Sequence, residues 1–202
     1  ARAGAVTSVI EAGSMLAGTM TAGGVNTPNH FFSTLGPVVL GIPWELYVKS
    51  KEVEGLPIPD YTKRRPVETP GYYSYINIPI YVAVVEREAR KAGLIIHYHE
   101  FVADIKAVGD YWEITSLGRG IKRITRAREV IDCTGDSDVV RLLGLETIRD
   151  EIRQPGSYQY IIDGIKNEQI WEKEVQILYE EALEKGVIQK GDFSYPNILP
   201  FK

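Results

Sequence analysis

Glu129-Val130-Ile131-Asp132-Cys133-Thr134-Gly135-Asp136-Ser137-Asp138 is a β-branched run that breaks into Thr-Gly-Asp, and the apolar Val139, Val140, Leu142 and Leu143 come directly after it. The pattern predicts a buried strand whose C-terminal end opens into a loop and a new helix. In an open α/β sheet that edge is where a ligand sits. Gly135 lets the backbone approach a bulky group without a Cβ in the way, while Asp136 and Ser137 offer polar atoms or an N-cap. An ordinary strand-to-helix turn has the same composition, so the rest of the chain has to decide between the two.

Upstream, Ala1 to Gly4 reads as the tail of a helix with its terminating glycine, and Val6-Thr7-Ser8-Val9-Ile10-Glu11 as a strand ending in an acid. Helix end, glycine, strand, acid is the second half of a dinucleotide-binding βαβ unit, in which the closing carboxylate accepts from the adenosine ribose hydroxyls. The first half, a strand leading into Gly-x-Gly-x-x-Gly, does not occur in the sequence. Gly13 to Val25 comes next, small residues interleaved with hydroxyls, too glycine-rich for a stable helix and too apolar for a linker. Such a loop can carry a flat or phosphorylated group close to its backbone, with Thr19 and Thr21 as donors; a close helix-to-strand packing point asks for the same residues. His30 lies just beyond this loop and is the one candidate for a catalytic acid or base, although a loop histidine is more often a surface group.

Gly41 to Val48 predicts a short amphipathic helix with Pro43 in its first turn, and Lys49 to Tyr75 a long proline- and tyrosine-rich excursion. Pro79 starts the clearest helix, with Ile80, Val84 and Val85 set against charged residues until Gly93 ends it. A strand over 94–98 leads into a β-meander of about 101–125, whose tight turn is Gly109-Asp110. His97 and His99 would share one side of an extended strand, but no third ligand lies nearby, so no metal site is expected. Cys133 reads as a small core residue. After Gly144 the chain turns polar; Ser157 to Gly164 reads as a strand, Glu168 to Gly186 as a long helix, and Tyr195 to Pro200 as a further strand.

Composition bounds what these pieces can do. The chain has 202 residues, 44% of them hydrophobic, and a net charge of -4, enough for a sizeable core and too acidic overall for a nucleic-acid phosphate backbone. No apolar run approaches the roughly twenty residues that span a bilayer. The single cysteine excludes an internal disulfide and a Cys-x-x-Cys pair, and points to a reducing, cytoplasmic setting.

Set out in this way, the chain resembles the FAD-dependent oxidoreductases of the glutathione-reductase-like flavoprotein superfamily. Val9-Ile10-Glu11 followed by Leu16 to Gly23, Gly41-Ile42-Pro43-x-Glu45, and Val130 to Val139 carry the resemblance. The family pattern has a second glycine where Ala17 stands and alanine where Cys133 stands. The resemblance implies an α/β fold: an incomplete FAD-binding, Rossmann-like domain over 1–150 with the meander as an insert, and the start of a substrate domain over 151–202. It further implies that Glu11 binds the adenosine ribose. The loop containing Ala17, Gly18, Thr19 and Thr21 would pass the pyrophosphate and ribityl region, the backbone at Val102 would meet the adenine edge, and Thr134, Gly135 and Asp136 would close over the FAD. The whole protein would be an enzyme moving a hydride or electron pair between a small organic substrate and FAD. The isolated chain, an internal piece without the glycine fingerprint, would hold flavin weakly and be inactive. Two alternatives stand beside this one. A non-catalytic α/β fragment would act by association, as a homodimer through an unpaired sheet edge; an NAD-binding dehydrogenase half fits the glycine-rich loop and the meander less well.

Overall fold

A computed structural model describes residues 1–28, 31–33, 36–58, 75–149, 151 and 172–189. The chain divides into two compact units, Ala1–Pro155 and Gly156–Lys202. The first begins with β1 (Ser8–Glu11) and a 3-10 turn at Gly18–Met20, then a two-residue hairpin of β2 (Phe32–Ser33) and β3 (Gly36–Pro37). Two helices come next, α1 (Ile42–Glu54) and α2 (Ile78–Lys91). After them lie β4 (Ile95–Tyr98), the meander of β5 (Glu100–Val108), β6 (Tyr111–Gly118) and β7 (Ile121–Ala127), and the short α3 (Asp138–Leu142). In the second unit the described element is α4 (Glu172–Glu184), closed by Gly186, whose amide donates to Leu183 O at 3.0 Å.

The periodicities that were legible form the elements expected of them. On α2, Tyr81, Val84, Val85 and Glu88 are buried, a spacing that turns one stripe toward the core, and Asn77 caps the helix by accepting from the Ile80 amide at 3.3 Å. β1 and β4 pair in parallel with Glu11 opposite Tyr98, so the intervening helices form the crossover that parallel strands require. The meander pairs β5-β6-β7 antiparallel over residues 100–127, slightly longer than expected.

Several expectations are corrected. The strand starts at Ser8, leaving Val6 95% exposed, whereas Ala1 to Gly4 forms one turn that ends, as expected, in a left-handed glycine, Gly4 at φ 89 donating to Ala1 O at 2.9 Å. Lys49 to Glu54 continues α1, because the buried Lys51 is paired with Glu54 at 2.8 Å and lies over the Tyr47 ring; residues 59–74 of the expected excursion lie outside the described residues. His97 and His99 do not share a strand face, since His99 sits at φ 57 in the step between β4 and β5. The segment 129–132 is not a strand: Ile131 is 83% exposed and Cys133 is exposed as well. A β-branched run becomes a strand only where a neighbour completes its ladder, and among the described residues none pairs with it.

Two apolar clusters fill the first unit. One joins Leu16, Phe31, Tyr47, Ile76, Tyr81 and Val85, with Val9, Met20 and Trp44 packed against it. The other joins Ile105, Ile114 and Val139, with Ile10, Val102, Val130 and Leu143 packed against it. The successive residues Val9 and Ile10 therefore point to opposite sides of β1, as strand geometry dictates.

Candidate functional site

Glu11 ends β1, and the chain folds back at once. The Gly13 amide donates to Glu11 Oε1 at 2.7 Å, and a Cβ at Gly13 would stand 3.0 Å from the same oxygen, so a side chain there would crowd the carboxylate. Beside it, Tyr98 donates its hydroxyl to Glu86 Oε2 at 3.0 Å; burial first, and then that carboxylate, raises its pKa. One oxygen of Glu11 thus holds the bend, and among the described residues no bond is made by the other.

The glycine-rich loop is a packing point, one of the two roles its sequence leaves open. Leu16 is buried in the first cluster, and Thr21, also buried, donates its hydroxyl inward to Leu16 O at 2.5 Å. Thr21 is therefore corrected from a ligand donor to an internal clamp of the loop. Gly23 closes the bend, since a Cβ there would come within 2.8 Å of Thr19 O. Between these anchors Ala17, Gly18 and Thr19 are exposed, with Ala17 at φ 75 and Gly18 at φ 44.

At the Thr-Gly-Asp bend, Asp132 organises the turn into α3. Its Oδ1 accepts from the Thr134 amide at 2.9 Å and hydroxyl at 2.7 Å, and its Oδ2 accepts from the Val140 amide at 3.1 Å. These bonds, that of the Thr134 amide foremost, hold the Asp132 carboxyl below its ordinary pKa. Ser137 occupies the N-cap position at φ 59 without a side-chain bond, and Thr134 Oγ1 takes over the role by accepting from the Asp138 amide at 2.9 Å. The carbonyl of Asp136 accepts from Arg141 Nη2. Gly135 is exposed at φ 87 with no other protein atom within 4 Å of a notional Cβ, so within the protein it is its conformation that calls for glycine.

Val102 lies where β5 slips register: Val102 faces Ser116 and Asp104 faces Thr115, leaving Ala103 as the extra residue of a bulge. Val102 packs in the second cluster with Ile10, which precedes Glu11, and with Val130 and Val139, which flank the Thr134–Asp136 bend. The sequence-predicted residues Glu11, Val102 and Thr134 to Asp136 are in this way tied to one core. His30 lies outside the described residues. Asp132 and the buried Glu100 were not anticipated; the Asp-x-Thr spacing signals the first, whereas Glu100 gives no local signal because its partners are sixteen and twenty-three residues away.

Residues 1–192 match the model of a protein family described as FAD dependent oxidoreductase. The chain belongs to this FAD-dependent oxidoreductase family. No curated protein matches it. Among solved structures it is similar to a flavoprotein/dehydrogenase from Cytophaga hutchinsonii, with 23% identity over 43% of this chain and 21% of that one and a TM-score of 0.31. It is also similar to the bacillithiol disulfide reductase Bdr (YpdA) from Bacillus cereus, with 20% identity over 62% of this chain and 31% of that one and a TM-score of 0.32. The chain thus spans under a third of the length of either structure. Membership of an FAD-dependent family on a mixed α/β scaffold makes the fold that of an FAD-binding, Rossmann-like domain, here with small sheets.

Glu11 offers a carboxylate oxygen, Ala17 to Thr19 an exposed main chain, and Val102 the main chain of an edge strand. Among the described residues no group of three His, Cys, Asp or Glu side chains could hold a metal ion, and no helix is long and apolar enough to cross a membrane.

Proposed function

We propose that this first unit is the adenosine side of an FAD site in a flavoprotein oxidoreductase of the glutathione-reductase-like superfamily. The observation that carries the reading is the shared packing of Ile10, Val102, Val130 and Val139, which ties the ends of three separate segments to one core. Glu11 would accept from the ribose hydroxyls, the main chain of Ala17, Gly18 and Thr19 would lie along the pyrophosphate, and Val102 would meet the adenine edge. Thr134, Gly135 and Asp136 would cover the cofactor. When bound, FAD supplies the two-electron redox chemistry, and the protein supplies orientation and electrostatics. The reaction of the whole protein would oxidise or reduce a small organic molecule in the cytoplasm, on a substrate domain that starts after about residue 154, and His30 is its one candidate acid or base.

The 202 residues alone should hold FAD weakly, because exposed backbone in one loop provides few donors for two phosphate charges. The test is isothermal titration of the chain with ADP and with FAD, wild type against Glu11→Ala. Loss of the ribose acceptor should weaken both ligands about tenfold, the size of one good charge-assisted hydrogen bond. Equal affinity in the two proteins would remove Glu11 from the site. In the whole protein, unchanged flavin reduction in His30→Ala would retire that histidine.

Exposure of Val6 at 95%, just before β1, and of Ile95 at 50%, on β4, favours a second reading, association of two copies through the β1–β4 pair, whose outer edges no described strand covers. Size-exclusion chromatography separates the readings, a monomer at all concentrations arguing against association.

A further inference from the structure

Glu100 opens the meander and is only 2% exposed, an unusual place for a carboxylate. It accepts from Ser116 Oγ at 2.7 Å, from Arg123 Nε at 3.1 Å and from Arg123 Nη2 at 3.1 Å, so that one side chain on β5 holds β6 and β7. The start of β5 is tight: opposite Glu100 stands Gly118, where a Cβ would lie 2.6 Å from His99 O. Stability alone is a poor account of this arrangement, because the Arg123 side chain is 38% exposed and ion pairs open to solvent contribute little. Geometry is a better one. Ser116, itself fully buried, is both the residue that Glu100 grips and the residue that faces Val102, immediately before the pairing slips to Asp104 and Thr115. A slip of one residue along a strand would turn its side chains to the opposite face and take Ile105 out of the core.

We propose that Glu100, acting through Ser116 and Arg123, is a positioning residue that fixes where the β5 bulge falls and so sets the main chain of Val102 toward the adenine ring of the cofactor. The proposal rests on the FAD reading above and goes beyond it in assigning the meander's buried carboxylate to cofactor recognition. It separates two contacts on one ligand: Glu11 holds the ribose without help from Glu100, whereas Val102 meets the base only when Glu100 is in place.

The experiment is a titration of the ¹⁵N-labelled 202-residue chain with ADP, following the amides of Gly13, Val102 and Ala103. In the wild type all three should shift. In Glu100→Ala the Val102 and Ala103 responses should vanish while that of Gly13 persists, with affinity lower by about tenfold, one base contact's share; Glu100→Gln, which keeps an acceptor oxygen, should restore much of the Val102 response. Ser116→Ala, which removes only a hydroxyl, repeats the test if Glu100→Ala does not fold. A Val102 response as large in both variants as in the wild type overturns the proposal. A wild-type response at Gly13 without one at Val102 overturns it too, while leaving the FAD reading standing. No response at any of the three amides overturns the proposal and removes Glu11 and Val102 as ligand contacts of this chain, while its family membership stands.

Discussion

The Asp132 carboxylate is placed where loss of one side chain frees two backbone amides and a hydroxyl. Replacing it with alanine leaves Thr134 N and Val140 N without their acceptor, a loss comparable to that of a helix N-cap. Asp132→Ala should therefore destabilise the first unit by about 1–2 kcal/mol, read from urea midpoints, and should speed hydrogen exchange at the Thr134 and Val140 amides. Gly135→Ala fails for another reason. Its φ of 87 is strained for an L-residue although the space around it is open, so about 1 kcal/mol should be lost, visible as a lowered thermal midpoint. At this scale the sequence was informative about the bend and silent about what holds it. Thr134, Gly135 and Asp136 were legible as turn chemistry. The direction of the Thr21 hydroxyl and the exposure of Cys133 depend on partners that no local pattern encodes.

Between elements, charge does much of the joining. Lys49 on α1 donates to Glu45 and to Glu88 of α2, both at 2.6 Å, and Arg2 holds Glu45 with two nitrogens at 2.7 and 3.1 Å. The Arg2 bond, followed by that of Lys49, brings the Glu45 carboxyl down to about 2, and the Lys49 bond brings Glu88 to about 2 as well. Carboxylates with lowered folded values contribute stability above their unfolded value, near 4.5, and surrender it as pH falls toward 2. The urea midpoint should thus be flat from neutral pH to about 5 and fall below that; Glu88→Gln should lie lower at neutral pH and fall less steeply in acid. Solvent around Glu45 will blunt its share, and added salt should blunt it further. Helix α2 and the meander were readable because their periods of 3.6 and 2 are local. Residues 129–132 were misread because pairing is not local: valine and isoleucine favour a strand only when another strand accepts it. The continuation of α1 past Lys49 was hidden in charge, since the buried Lys51 needs Glu54 three residues on.

In the molecule as a whole, the α/β class and the family were legible in three short motifs, while the way in which Glu11, Val102 and the Thr-Gly-Asp bend come to share a core was not. That sharing arises from Ile10, Val130 and Val139, residues that carry no chemistry and mark no motif. The purified chain should be colourless, without the visible absorption of a bound flavin, because whatever cofactor it meets should dissociate on a column; a stoichiometric yellow protein would reverse the expectation of weak retention.

β1 has four residues, yet Val9 belongs to the helix-lined cluster and Ile10 to the one beneath the meander. This short strand is a party wall. Each cluster takes one residue from it, so Val9→Ala and Ile10→Ala, neighbours in the chain, should loosen different halves first. The carboxylate at the end of the wall would register both disturbances.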